Sequence, residues 1–560
     1  MLSITGLTRP AILPGSSYNT GMDAKEAWRK KREITPDDLT LARQVLEEIR
    51  AGAEPRAALR AHPLPAGAGF LAKHTLVAAY DDLVSRGEWS PDPALLAAIR
   101  MKPVRTLSGV TTITVLTRPS PCPGHCIFCP TEENMPQSYL SDEPGARRGV
   151  ENDFDPYRQV ASRLQALREV GHPTDKIELL ILGGSWTAYP KPYQEWFVRR
   201  CFEALNGENP EDNRGDVPLA EVHDRNVGAR HRNVGLVVET RPDLITREEL
   251  MAYRRMGVTK LQVGIQSMDD HILELNQRGH TVAEALEAVA MARAAGFKIV
   301  AHWMPNLLGA TLASDREDFQ RLWEDGGLQP DELKIYPCQL LRNAALYQYW
   351  QRGEYQPYTE QQLIDLLADI KPNVPRFCRI NRVIRDIPST NVVAGNLNTS
   401  LRQDVARELA ARGTRCQCVR CREIRKGRVD PANLDLHELV YRAGHATEYF
   451  LSFDTPTDEL AGFLRLSLPG EPNWLNIPDL ASAAIIREVH VFGQSLEVGS
   501  ERLGAAQHVG LGKRLIEVAA EIARARGYRH LAVISAVGTR DYYAARGFEP
   551  GQLYMVRQLQ

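Results

Sequence analysis

Between about residue 105 and residue 337 the chain alternates six times between a short β-branched run and a stretch with apolar residues at helical spacing. The runs are TTITVLT, KIELLILGGS, VGLVVETRPD, KLQVGIQSM, FKIVAHWMP and DELKIYP. Among the intervening stretches are DPYRQVASRLQALREVG, TREELMAYRRMG and TVAEALEAVAMARAAG. Strand-then-helix repeats of this kind demand right-handed crossovers between parallel strands. The expected fold is therefore α/β: a partial (β/α)6 TIM-like barrel over residues 101–400. In such barrels chemistry collects at the C-terminal ends of the strands, so the residues just after each run are the ones to inspect.

The flanks differ. Residues 1–100 read as a small helical region, with Asp37-Asp38 opening LTLARQVLEEIRAG and a Gly stop. Residues 434–560 read as an α+β unit, with strands EYFLSFD, LAGFLRLSL, SAAIIREVHVFGQ and RHLAVISAV around one long helix, GLGKRLIEVAAEIARARG. Residues 401–433 form a basic, cysteine-rich linker between the last two.

No window approaches the eighteen apolar residues of a membrane helix, and the N-terminus has no basic stretch leading into an apolar one. The expected location is the cytoplasm, where thiols stay reduced and cysteines serve metals more often than disulfides. The net charge is only −2, yet Lys371 to Arg428 holds fourteen Lys or Arg against four Asp or Glu. That local +10 suits a phosphate-rich partner as well as a solvated face. Within it Arg376-Phe377-Cys378-Arg379 and Arg382 through Arg385 interleave cations with an aromatic ring, as a single-stranded RNA loop would require. Charge reversal at Arg379, Arg382 and Arg385 is the sequence-based test of RNA binding.

Six of the nine cysteines fall in two clusters; Cys201, Cys338 and Cys378 are single and carry no assigned role. Cys122, Cys126 and Cys129 share one loop, PCPGHCIFCP, directly after the first strand. Three thiolates on a four-iron cluster leave one iron open. Zinc loops usually come as paired CxxC units, which this region lacks. Cys-x3-Cys-x-aromatic-Cys resembles the radical S-adenosylmethionine (SAM) superfamily signature, in which Phe128 would pack on adenine. The resemblance extends to Gly183-Gly184-Ser185, whose bare backbone edge would receive the SAM amino group. It also reaches Glu239 and Arg241, which would hold SAM's ribose and carboxylate or else form a structural ion pair, and Gln266 after the following strand.

Cys416, Cys418 and Cys421 offer three more thiolates in six residues. Zinc wants four ligands, and the fourth is not visible nearby; His302 and His445 are the candidates. C-x-C-x2-C is tight for an iron–sulfur cluster, so a structural Zn²⁺ is favoured.

Near the C-terminus, Gln507-His508-Val509-Gly510-Leu511-Gly512 opens the long helix. Glycines there bare backbone N–H groups at the positive end of the dipole, a pyrophosphate site. Q-x-x-G-x-G after a strand resembles the acetyl-CoA loop of GNAT acyltransferases, which implies donor contacts from Glu488, His490 and Val491 on the preceding strand. Tyr542 and Tyr543 fall where such enzymes place a tyrosine beside the thioester. No general base for a lysine acceptor stands out; Glu488 and His490 alternate along one strand.

Barrel, cysteine linker and GNAT unit in this order resemble the family of the Elongator catalytic subunit and its bacterial and archaeal stand-alone relatives. The resemblance implies a tRNA wobble-uridine (U34) acyltransferase. Its cofactors would be a [4Fe–4S] cluster and SAM, with acetyl-CoA as co-substrate. A 5′-deoxyadenosyl radical would activate the acetyl methyl, the carbon radical would add to uracil C5, and thioester hydrolysis would leave a carboxymethyl group. Lys334 and Tyr336, at the last strand's end, would contact substrate. Implied partners are the tRNA anticodon stem-loop, to which the N-terminal helices would contribute, and an electron donor for the cluster, with no membrane. A homodimer or accessory subunits are left open. The rival is a protein lysine acetyltransferase whose radical SAM part is structural or regulatory.

Overall fold

The computed structural model describes residues 33–64, 69–106, 108–209, 217–425, 430–470, 474–492 and 510–559. Two compact units result: one runs to Lys102 and includes Glu169–Gly171, and the other holds the remainder.

The first unit packs helices Pro36–Arg50, Pro55–Ala61, Lys73–Ser85 and Pro93–Ile99. Thr35 and Asp38 close a capping box on the first of these, each side chain accepting from the other's backbone N–H at 3.0–3.1 Å. The helix buries Ala42, Val45, Leu46 and Ile49, one apolar stripe, in a core shared with Leu76 and Tyr80.

The second unit contains two seven-stranded sheets. In the first, β1 (Thr111–Leu116), β2 (Lys176–Leu182), β3 (Arg232–Thr240), β4 (Lys260–Gln266), β5 (Lys298–Trp303) and β6 (Glu332–Ile335) lie side by side in chain order, all parallel. β7 (Leu340–Leu341) pairs elsewhere with β9 (Val392–Ala394), while β8 (Arg379–Arg382) adds a seventh parallel strand beside β6. The six expected strands are thus present, and the seventh is a correction. ArgIleAsnArg carries no β-branched run, because its alternate positions, Arg379 and Asn381, face the barrel cavity while Ile380 is buried.

The second sheet is mixed: β10 (Asp435–Ala443), β11 (Ala446–Asp454), β12 (Leu460–Pro469), β13 (Ala483–Val491), β14 (His530–Val533), β15 (Glu549–Pro550) and β16 (Met555–Gln558). Only β13 and β14 pair parallel, with the helix Leu511–Ala525 between them in sequence. No described helix is long and apolar enough to cross a membrane.

The two sheets share one core and an ionic joint. Arg487 on β13 holds Asp331, just before β6, through two hydrogen bonds of 2.6 and 2.7 Å, and holds Glu448 at 2.6 Å. Arg465 and Arg293 stand 3.5 and 3.6 Å from the same carboxylate. All five groups are buried, so the desolvation cost is met only while every partner is present. Asp331→Asn is expected to destabilise this unit by about 3–5 kcal/mol, read from denaturation midpoints at pH 7. Burial works against the charged form, but Arg487, Arg465 and Arg293 together hold the Asp331 carboxyl far below its ordinary value. Its contribution is therefore in place above about pH 4 and lost as the pH falls through the lower folded value, so variant and wild type converge in acid.

Part of the basic stretch is turned inward onto acidic partners. Arg376 pairs with Asp454 and Asp458, Arg379 with Glu423, Arg422 with Asp454, and Arg385 with Glu143 and the backbone of Ser138. Phe377 is buried and stacked on Tyr441 with ring centroids 3.9 Å apart, so it presents no face to RNA. Of the three arginines proposed for charge reversal only Arg382, paired with Asp386, is close to half exposed. Reversal at Arg379 or Arg385 would report on folding before it reported on RNA.

Candidate active site

Sheet order brings the C-terminal ends of β1 to β6 around one opening, where the cysteine loop leaves β1. The loop is pinned by its neighbours: Ile127 N–H donates to Asn276 O (3.3 Å), and Leu346 N–H to Ile127 O (2.8 Å). A Cβ at Gly124 would displace the Arg241 guanidinium, which Asp243 and Arg278 O hold in place. Arg278 Nη1 lies 3.3 Å and Arg241 Nη1 3.9 Å from Cys126 Sγ. The Cys126 thiol is pulled down to about 5, first by the hydrogen bond from the Cys129 thiol, then, against burial, by Arg278 and Arg241. A thiolate held by two guanidiniums at a loop of three partly exposed cysteines fits the donor set of an iron–sulfur cluster.

The other barrel residues named from sequence divide by role. Phe128 is buried among Ile272, Leu307 and Leu308 yet also borders the cavity. Gly183, at φ +129°, lets the backbone pass Thr117, whose hydroxyl a Cβ would overlap, whereas Gly184 and Ser185 face the cavity. Glu239 accepts from Tyr139 OH at 3.3 Å and lies 3.6 Å from His302 Nδ1. It does not pair with Arg241, which is bound to Asp243 at 3.0 Å and donates to Arg278 O at 2.7 Å. Gln266 holds a left-handed backbone, φ +72°, and its Oε1 is enclosed with no partner among the described residues. An orphaned acceptor beside the cysteine loop is what a site for an absent polar ligand leaves behind.

Lys334 is buried and donates to Gln262 Oε1, an atom also 3.1 Å from His302 Nε2. Burial and the Lys334 charge hold His302 well below its ordinary value, hence neutral. His302 is thereby committed to the barrel and His445 to Trp474, 4.7 Å between centroids. Neither joins the sulfurs of Cys416, Cys418 and Cys421, which lie within 4.8 Å of one another. Three thiolates around one Zn²⁺ would stand ~3.8 Å apart, so this tight group fits a single ion.

On the mixed sheet, Glu488 binds Lys298 of β5 and Arg465 at 2.9 Å. His490 is flanked by Phe463 and Phe492, its Nε2 is enclosed with no described partner, and burial lowers it to about 4. Val491 ends β13 opposite Gly462. Gln507, His508 and Val509 lie outside the described residues; Gly510, at φ +74°, caps the helix that Leu511 and Gly512 begin. The two tyrosines separate. Tyr542 sits under the Arg546 guanidinium, with its hydroxyl where a Cβ on Gly512 would be, while Tyr543 is buried and borders the cavity.

One cavity of about 910 Å³ reaches both Cys126 and His490. Arg278, Tyr139, Gln262 and Lys298 line it and were not singled out from sequence. A signal was available: KLQVGIQ carries Lys, Gln, Gly and Gln at every second position, whereas a parallel strand with both faces packed reads as apolar throughout.

The sequence matches the Radical SAM superfamily over residues 120–322 and the Radical_SAM C-terminal domain over 330–411. A protein named tRNA uridine(34) acetyltransferase from Dehalococcoides mccartyi (strain CBDB1) is 40% identical over 465 residues, 81% of this chain and 99% of that one. Elongator complex protein 3 of Homo sapiens is 34% identical over 482 residues, 83% and 87% of the two chains. This chain belongs to the family of the tRNA uridine(34) acetyltransferases and Elongator complex protein 3. The solved structure of archaeal Methanocaldococcus infernus Elp3 with an N-terminal deletion (1–46) superposes with a TM-score of 0.70 at 34% identity, covering 81% of this chain and all of that one. The parallel sheet is the family's radical SAM half-barrel, and the mixed sheet is its second fold element.

Proposed function

We propose that this protein modifies the wobble uridine of tRNA, adding a carboxymethyl group at C5 with acetyl-CoA as carbon source and SAM as radical source. The observation that carries this reading is the single cavity bordered by both the cysteine loop and the mixed sheet. The relatives' printed name supplies the substrate class. The division proposed is an RNA-contacting helical region over 1–100, the half-barrel over 101–400, a zinc joint at Cys416, Cys418 and Cys421 over 401–433, and an acetyl-CoA unit over 434–560.

Cys122, Cys126 and Cys129 would hold a [4Fe–4S] cluster; the Gly184 edge, Glu239 and the orphaned Gln266 Oε1 would hold SAM. When bound, these groups supply a one-electron cleavage of SAM and a 5′-deoxyadenosyl radical able to take hydrogen from a methyl group. The chain's own part is to position and protect. The Cys129 thiol, then Arg278 and Arg241, favour the thiolate form of Cys126. Lys334, oriented by Gln262, offers a fixed charge to a carbonyl oxygen of uracil or thioester. His490, neutral above about pH 4, leaves its enclosed Nε2 to hydrogen-bond an amide of the donor at the mixed-sheet end. Gly510 to Gly512 bare the helix N–H groups that would seat the CoA pyrophosphate.

Thioester consumption should depend on tRNA. With reconstituted enzyme, adding tRNA is expected to raise acetyl-CoA turnover at least about tenfold, the low end for a positioned reactant, followed as released CoA thiol. Acetyl transfer to protein lysines at the same rate without tRNA would favour the lysine acetyltransferase instead.

A further inference from the structure

The half-barrel is open along its axis, and β4 measures the opening. Lys260, Gln262, Gly264 and Gln266 all border the cavity. They climb from the end nearest the mixed sheet to the end nearest the cysteine loop, a rise of about 20 Å. Barrels whose interior serves only as a core fill it with Val, Ile and Leu. On β4 those residues point outward, as with Leu261, Val263 and Ile265; Leu116, Leu182 and Val234 of other strands do reach the lumen, but amide, hydroxyl and charged groups line it from end to end. At the mixed-sheet end Lys298 bridges Glu332 of the barrel and Glu488 of β13. At the same end His490 Nε2 is enclosed without a described partner.

We infer that the barrel lumen is a through-passage for the acyl donor. Its pantetheine arm enters from the mixed-sheet end, past Lys298 and Glu488, and runs up the inner wall of β1 and β4. The acyl terminus then lies at the cysteine-loop end while the nucleotide stays on the mixed sheet. The inference rests on the reading above that the donor is an acyl-CoA. An arm bearing amides and a hydroxyl needs hydrogen-bond partners along its length, and this wall supplies them where an apolar one would not. A tethered arm also explains how two sites at opposite ends of one barrel act on one acetyl group without releasing it to water. The upper mouth is left free for the nucleoside.

Leu116 and Leu182 are register partners at the C-terminal ends of β1 and β2, and both border the lumen near the cysteine loop. Leu116→Cys and, separately, Leu182→Cys place a thiol there in the reconstituted full-length protein. Bromoacetyl-CoA alkylates a thiolate with loss of bromide, leaving a thioether read by peptide mass spectrometry. The expected result is alkylation of the introduced thiol that desulfo-CoA suppresses at least tenfold. Dialysis of labelled acetyl-CoA against the same proteins reports whether the nucleotide end binds. Binding without alkylation in both variants, or alkylation indifferent to desulfo-CoA, overturns the passage and leaves the donor assignment standing. Failure of acetyl-CoA to bind overturns both. The readout needs no turnover, so a lost radical activity cannot imitate it.

Discussion

Cys126→Ala is expected to abolish SAM cleavage and tRNA modification while leaving the fold and thioester binding intact. The sulfur is the focus of its surroundings: Arg278 at 3.3 Å, Arg241 at 3.9 Å and the Cys129 thiol all direct positive charge or a proton toward it. Removing it deletes a ligand and leaves those two guanidiniums facing a methyl group. Loss of an outer partner in a metal site costs roughly 10–100-fold, so loss of the ligand itself should exceed ~100-fold in 5′-deoxyadenosine formation. Iron content of the anaerobically reconstituted protein should fall in parallel. Cys126 is partly exposed and lies in a loop, so the variant should still fold, with a stability loss of about 1 kcal/mol. Normal iron loading with normal SAM cleavage would remove the cysteine loop from the mechanism.

Lys334→Met should separate radical formation from its use. The ammonium lies inside the barrel on Gln262, with the Tyr336 ring 5.7 Å away. Methionine keeps the length and the apolar stem but removes the charge and the donor. Deleting one preorganised donor from a water-excluded site costs about 10²–10³ in kcat. That loss is expected in modified tRNA, with 5′-deoxyadenosine formation unchanged within about threefold, under a kcal/mol. Neutral His302 would also lose the charge that helps hold it down. Its titration in the variant should move up toward the ordinary histidine value, observable by NMR. Parallel loss of both products would make Lys334 part of the SAM site.

How much of this was legible from sequence depends on the range of the interaction. The cysteine loops lie within eight and six residues, and the first six strands announce themselves through outward β-branched residues such as Ile113, Ile177 and Ile299. β8 escaped notice because its inward positions are Arg379 and Asn381. The arginine-rich stretch looked like an RNA surface because a local charge count cannot see partners such as Asp458, 82 residues beyond Arg376, or Glu143, 242 residues before Arg385. The ionic joint is invisible for the same reason: Asp331 and Arg487 are 156 residues apart. The two clusters thus keep their expected places, while between them Arg376 and Arg422 help close the fold and Arg379 and Arg385 line the cavity.

The most direct test of the central claim is nucleoside mass spectrometry on tRNA incubated anaerobically with the reconstituted protein, a reductant, SAM and acetyl-CoA. The account predicts 5-carboxymethyluridine at position 34, carrying two carbons from labelled acetyl-CoA, and none when either SAM or acetyl-CoA is left out. Unmodified uridine at that position, from protein that cleaves SAM and binds acetyl-CoA, would contradict it.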